Sequence, residues 1–257
     1  MMALLDVRNL TKDFGGLRAN DDISFALDKG ELIGLIGPNG AGKTTLFNCI
    51  AGLHQVTSGR VIFNEEDITP LAAFDVARRG LARTFQVYTA AGDLSVVENV
   101  MVGCFMRNRS RKAAKERAKE ILEKLNLTEL AGYLVSELPV AAQKRVTMAT
   151  AIGTAPKMLL LDEVAAGLNP GEIEEILSII KYVHNELGIS VMLIEHVMEL
   201  VMRVSDRVIV LDYGRKIADG NPRQVAENPQ VIKAYLGERY VREHAKKVDL
   251  TNEPSHS

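Results

Sequence analysis

The sequence predicts an α/β protein: a mostly parallel sheet with helices, an antiparallel β part, and an inserted helical lobe. Three observations carry this expectation. Short apolar runs alternate with helix-like stretches over much of the chain. Residues 87–155 break the alternation, with little strand signal and one long charged helix. The length of 257 residues suits one large domain, or a core with a smaller lobe.

Residues 23–27 and 32–36 read as strands, and 44–51 as a helix. Residues 60–63 form a short strand, and 75–80 a short helix. Inside the lobe, 93–105 is apolar enough to supply local core, and 109–125 reads as a charged helix. The basic run at 107–112 leads into mixed charge, which reads as a solvated helix face. The core resumes at 157–161, an apolar strand closing on two acids. Residues 171–187 carry Ile173, Ile176, Leu177 and Ile180 at helical spacing. A buried-type strand spans 189–194, and 208–212 with 216–218 flank Tyr213-Gly214-Arg215 as a hairpin. These elements predict one domain over 1–237, with core at 1–86 and 156–237 and the lobe at about 87–155. The polar stretch 238–257 is expected to be a flexible tail.

Composition narrows the classes. The chain is 47% hydrophobic and 25% charged, ordinary for a globular protein. A net charge of −2 gives no electrostatic case for nucleic acid. Cys49 and Cys104 make neither a disulfide framework nor a metal-ligand spacing. The opening Met-Met-Ala-Leu-Leu-Asp reaches an acid too soon for a signal peptide. No apolar run approaches the roughly 18 to 20 residues that cross a bilayer. Any membrane role is therefore expected to work through another chain, without direct insertion.

Gly37-Pro38-Asn39-Gly40-Ala41-Gly42-Lys43-Thr44 fits G-x-x-x-x-G-K-[ST] at every fixed position. An apolar strand precedes it and a helix follows. Glycines let the backbone curl so that N–H groups point at phosphate oxygens, and the helix N-terminus adds partial positive charge. Lys43 is expected to reach the β- and γ-phosphates, and the Thr44 hydroxyl to hold Mg²⁺. An accidental match in a chain of this length is about a one-in-a-hundred event, so nucleotide binding is expected within a P-loop NTPase core.

Such an ATPase needs one carboxylate for the metal and one group that orients or deprotonates the attacking water. Asp162 suits the first role and Glu163 the second, although adjacent acids at a strand end are also ordinary surface charge. His196 follows the strand at 189–194 and becomes a candidate to hydrogen-bond the γ-phosphate. His54, His184, His244 and His256 lack such context.

With these residues in hand, the chain resembles the ATP-binding subunit of an ABC transporter over nearly its whole length. Residues 37–44 match the Walker A motif and 158–163 Walker B. The resemblance places Thr45 beside Thr44 on the nucleotide. Thr84-Phe85-Gln86 resembles the Q-loop, which implies Gln86 at the metal and the attacking water. Asn169 sits where the D-loop lies, and Glu195-His196 resembles the switch histidine. Phe14 matches the aromatic that stacks on adenine, though a core phenylalanine would look the same. Within the family, Phe14-Gly15-Gly16-Leu17, residues 80–86, 165–170 and 210–220 resemble the larger ATPase subunit of branched-chain amino acid importers. Amide and urea importers and the lipopolysaccharide-export ATPase are similar.

One segment departs from the family pattern. Where the family carries Leu-Ser-Gly-Gly-Gln, this chain has Leu138-Pro139-Val140-Ala141-Ala142. Pro139 has no hydroxyl and no N–H to offer a phosphate, and Ala141 adds a Cβ where glycine allows close approach. Val164 also replaces the proline that follows Walker B. The departure suggests an asymmetric pair of sites, or a signature that tolerates variation. The resemblance implies ATP and Mg²⁺ as cofactors, a second ATPase subunit, membrane permease subunits, and indirectly a solute-binding protein. It implies a peripheral position on the cytoplasmic face of the cell membrane. A regulatory or assembly subunit that binds nucleotide with little hydrolysis remains the alternative.

Overall fold

The computed structural model describes residues 3–84, 91–196 and 198–235. The core opens with two long strands, β1 (Leu5–Phe14) and β2 (Leu17–Leu27), paired antiparallel. The central strand β3 (Leu32–Ile36) is buried at every position and feeds helix α1 (Lys43–Ile50). Strands β4 (Ser58–Phe63) and β5 (Glu66–Asp67) then complete a four-stranded antiparallel sheet, ordered β2-β1-β4-β5. Helix α2 (Ala73–Arg78) and strand β6 (Leu81–Arg83) follow.

Among the described residues, the middle of the chain carries the α-helices α3 (Val96–Cys104), α4 (Arg111–Lys124) and α5 (Val140–Gly153). Ser95 caps α3 through a reciprocal box with Glu98, and Ser110 caps α4. The charged α4 turns Ala114, Ala118, Ile121 and Leu122 inward and leaves its remaining residues toward solvent. Gly103 and Gly153 let α3 and α5 approach closely. A Cβ on Gly103 would stand 2.0 Å from the Thr150 carbonyl oxygen. Gly103→Ala is therefore expected to cost about 1–3 kcal/mol of stability by forcing these helices apart, read as a lower denaturant midpoint. An unchanged midpoint would show that the helices give way freely.

After α5 the chain returns to the sheet through β7 (Met158–Asp162), α6 (Pro170–Lys181), β8 (Ser190–Ile194), α7 (Met198–Val204), β9 (Arg207–Asp212), β10 (Arg215–Gly220) and α8 (Pro222–Ala226). The second sheet runs β10-β9-β3-β8-β7-β6, parallel except for the β9–β10 hairpin. The α/β class and the antiparallel part expected from sequence are both present. Helix α6 is shorter than the pattern at 171–187 suggests, because residues 182–186 continue it as a wider π-type turn. Asn169 caps α6 with Glu172, and Pro170 supplies its first turn.

Strand order positions the chemistry. β8 lies between β3 and β7, with Leu35 and Asp162 both in register with Ile194. Parallel strands emerge at the same sheet edge, so the segments after β3, β7 and β8 meet there, at the carboxyl ends where α/β sheets bind ligands.

Candidate functional site

The loop after β3 curls because its glycines adopt backbone states closed to other residues. Gly42 has φ 96° and ends the loop as the N-cap of α1. A Cβ there would lie 2.3 Å from the Ala19 carbonyl oxygen. Asn20, fully buried on β2, donates from Nδ2 to the Gly42 carbonyl at 3.1 Å and braces the turn. Lys43 is 6% exposed. Its ammonium donates to the Gly37 and Pro38 carbonyls at 2.7 and 2.9 Å, so the cation is held over the loop it follows. Burial lowers its pKa, opposed by Glu163 and Asp162.

An open cleft of about 740 Å³ lies over this loop. Of the residues singled out from sequence, Phe14, Asn39, Gly40, Ala41, Gly42, Lys43, Thr44, Thr45, Glu163 and His196 line it. Gly37 and Pro38 start the loop below. Gln86 lies outside the described residues. Phe14 is 42% exposed at the cleft's edge, with the Lys12 ammonium 4.6 Å from its ring centroid and His54 packed edge-on at 5.3 Å. Phe14 is thus a surface aromatic rather than a core one.

At the far wall, His196 Nε2 lies 2.6 Å from Glu163 Oε1, the ring N–H donating to the carboxylate. Glu163 itself sits at φ 49°, a left-handed state that costs of order 1–3 kcal/mol for a non-glycine residue. Its N–H donates to the Ile194 carbonyl at 2.9 Å. The end of β8 therefore fixes the backbone of the same residue whose side chain His196, two residues further on, engages.

Asp162 is buried behind this pair. Its Oδ2 accepts from Arg83 Nη2 at 2.6 Å, while Arg83 also donates to Asn48 on α1. Burial raises the Asp162 pKa, opposed by Arg83. Oδ1 of Asp162 is buried with no hydrogen-bond partner. An acceptor oxygen left in that state fits a hard cation. No three His, Cys, Asp or Glu side chains gather into a metal cluster among the described residues. A cation here would take one carboxylate and the Thr44 hydroxyl, with phosphates and water completing its shell, which is how Mg²⁺ is commonly held beside a nucleotide.

A family model described as "ABC transporter" matches residues 20–166 of the chain. The chain belongs to the ABC transporter family. A second model, "Branched-chain amino acid ATP-binding cassette transporter", matches residues 215–241. The high-affinity branched-chain amino acid transport ATP-binding protein BraF of Pseudomonas aeruginosa is 40% identical over 250 residues, covering 91% of this chain and 98% of that protein. A nucleotide-free ATP-binding cassette from an ABC transporter superposes with TM-score 0.84 at 32% identity, covering 92% of this chain and all of the other. A dimeric cassette in a post-hydrolysis state with ADP and phosphate superposes with TM-score 0.77 at 25% identity, covering 85% of this chain and 99% of that one.

This ABC cassette is an ATPase coupled to transport, of a kind that dimerises and works with other transporter components. Its structure also shows contacts for residues whose roles the sequence did not reveal. Arg83 joins Asp162 to α1, and Thr84 Oγ1 accepts from the Asp162 N–H at 3.2 Å. Glu195, 2% exposed, accepts from the Ala165 N–H at 2.8 Å. Tyr235 brings its hydroxyl to the Gly37 N–H, with its pKa raised by burial. Each of these roles depends on strands or helices meeting across long sequence distances, so no local pattern could reveal it.

Proposed function

We propose that this cassette powers import of branched-chain amino acids or related amides, working as one half of an asymmetric ATPase dimer. The observation that carries the chemical part is the 2.6 Å contact between His196 and Glu163, facing Lys43 across the cleft. ATP lies with its triphosphate in the loop of residues 37–45 and its adenine against Phe14. Lys43 and the loop N–H groups take the β- and γ-phosphate charge. Asp162 and Thr44, with Gln86 as the resemblance implies, would hold Mg²⁺, which would supply positive charge beside the phosphates. Glu163 orients and deprotonates the attacking water, and His196 holds both that carboxylate and the γ-phosphate. The importer assignment rests on similarity to the branched-chain group in both its C-terminal match and its sequence.

The asymmetry comes from the start of α5. Pro139 is its N-cap, at φ −59° and ψ 152°, and no side chain caps the helix. Pro139 and Val140 are exposed, whereas Ala141 and Ala142 are buried. The obstruction expected from the Ala141 Cβ therefore falls instead to Val140, whose side chain is 57% exposed at the helix entrance. A nucleotide in the opposite subunit would meet a proline and an isopropyl group in place of a hydroxyl and bare backbone. One of the two composite sites, built from this chain's Walker residues and the partner's signature, remains complete.

Residues 1–237 form the cassette domain on this reading, with the helices of about 87–155 as the lobe that meets the permeases. Exposed Phe74 on α2, with Val102 on α3 and Phe105 just beyond it, provides apolar surface for that contact. Arg107 Nη2 donates to the Arg78 carbonyl at 3.0 Å and ties the two helix ends together. No helix among the described residues is long and apolar enough to span a membrane. The cassette is placed by its permease partners on the cytoplasmic face.

Restoring the signature tests the asymmetry. A Pro139→Ser, Val140→Gly, Ala141→Gly variant, assembled with its partner ATPase, is expected to raise total ATP turnover by up to about twofold, by speeding the reciprocal site about tenfold. The change at that site is the scale of one regained hydrogen bond to a charged group. Unchanged phosphate release would count against a defective second site.

A further inference from the structure

Lys144 lies in the first turns of α5, five residues past the proline that opens the signature segment. Its ammonium leaves the helix and donates to two carbonyls of the loop after β7. Glu163 O is at 3.2 Å and Ala166 O at 2.5 Å. The same loop is closed by the Ala166 N–H, which donates to Glu163 O at 3.3 Å. From the other side, buried Glu195 accepts from the Ala165 N–H. Glu195 precedes His196, and His196 returns to the Glu163 carboxylate. A closed circuit results: α5, the loop at 163–166, the end of β8, and the Glu163 side chain.

We propose that Lys144 is a positioning residue for ATP hydrolysis, tying the signature helix of this chain to the loop that aims its own Glu163. A lysine suits the task because three donors on a long stem can serve two carbonyls at once. Glu163 holds a left-handed backbone state that persists only where its surroundings impose it. Lys144 and Glu195 supply that restraint from opposite sides. Any shift of α5 driven by nucleotide in the opposite subunit would pull on the Glu163 carbonyl and turn its carboxylate. The two composite sites are thereby linked within one polypeptide.

This inference rests on the reading of Glu163 as the group that orients water, and the experiment separates the two. Lys144→Met and Lys144→Arg would be compared in the assembled transporter, with Glu163→Gln as reference. The readouts are kcat, KM, the Kd for ATP and the melting temperature. Lys144→Met should lower kcat roughly ten- to a hundredfold, the loss of charge-assisted bonds felt in the transition state. Its Kd for ATP should stay within about twofold, the mark of an interaction absent from ground-state binding. Lys144→Arg should recover most of the turnover. Added to Glu163→Gln, Lys144→Met should cause no further loss. As a control for helix stability alone, Glu175→Gln breaks the Arg145–Glu175 tie between α5 and α6 and should leave kcat unchanged. If Lys144→Met keeps wild-type kcat while Glu163→Gln collapses it, the positioning role is wrong and the catalytic reading stands. Equal losses in kcat and affinity that track the melting temperature would also overturn the role. If Glu163→Gln itself retains full turnover, the underlying reading of the site fails.

Discussion

Glu163→Gln should reduce ATP hydrolysis at the site built on this chain's Walker residues by about a hundred- to ten-thousandfold, the range associated with loss of a general base. Glutamine keeps the length and volume of the side chain but cannot accept a proton from water. The side chain is 11% exposed and lies against His196, so the replacement fits without rearrangement. ATP affinity should be retained, because the carboxylate has no bond to the resting phosphates. Steady-state phosphate release beside equilibrium ATP binding reads both quantities. A subunit that only regulates or assembles the complex would lose almost nothing.

Lys43→Ala should act on the other quantity. Removing the cation forfeits its charge-assisted contacts with the terminal phosphates, worth roughly 1.5–3 kcal/mol, or about ten- to 150-fold in Kd. The Gly37 and Pro38 carbonyls that now hold Lys43 would lose their donor, so the loop should also loosen. Labelled-ATP equilibrium binding to the cassette measures the effect, and Lys43→Arg separates charge from fit. Full affinity in Lys43→Ala would remove the phosphate loop from the nucleotide site.

The parts of this molecule written in local patterns were readable from the chain. The loop at 37–44, the acids closing β7 and the histidine after β8 occur at spacings fixed by strand–turn geometry. The buried strands β3, β7 and β8 are short apolar runs of the kind that parallel sheets require. Strand β1 escaped detection, and only the end of β2 was legible. Asn9 and Asp22 take positive φ, and the β1–β2 register shifts between Val7 and Leu10, between Leu10 and Lys12, and between Lys12 and Asp13. Those bulges destroy the period of two that would have marked the strands. Strand β6, at three residues, is too short to carry any period. The supporting shell was illegible for another reason. Arg83 meets Asp162 across 79 residues, and Glu195 meets Ala165 across 30. Only the sheet order brings them together. The signature segment was partly legible: the sequence exposed its unusual chemistry, but the backbone was needed to show that Val140, not Ala141, stands in the open.

On the proposed asymmetry, this chain builds one complete hydrolytic site and leaves the reciprocal one weak. Counting γ-labelled phosphate released per ATPase dimer in a single turnover tests it most directly. About one phosphate should be released rapidly per dimer while a second nucleotide stays intact or is cleaved at least about tenfold more slowly. Two phosphates released at the same rate would contradict it.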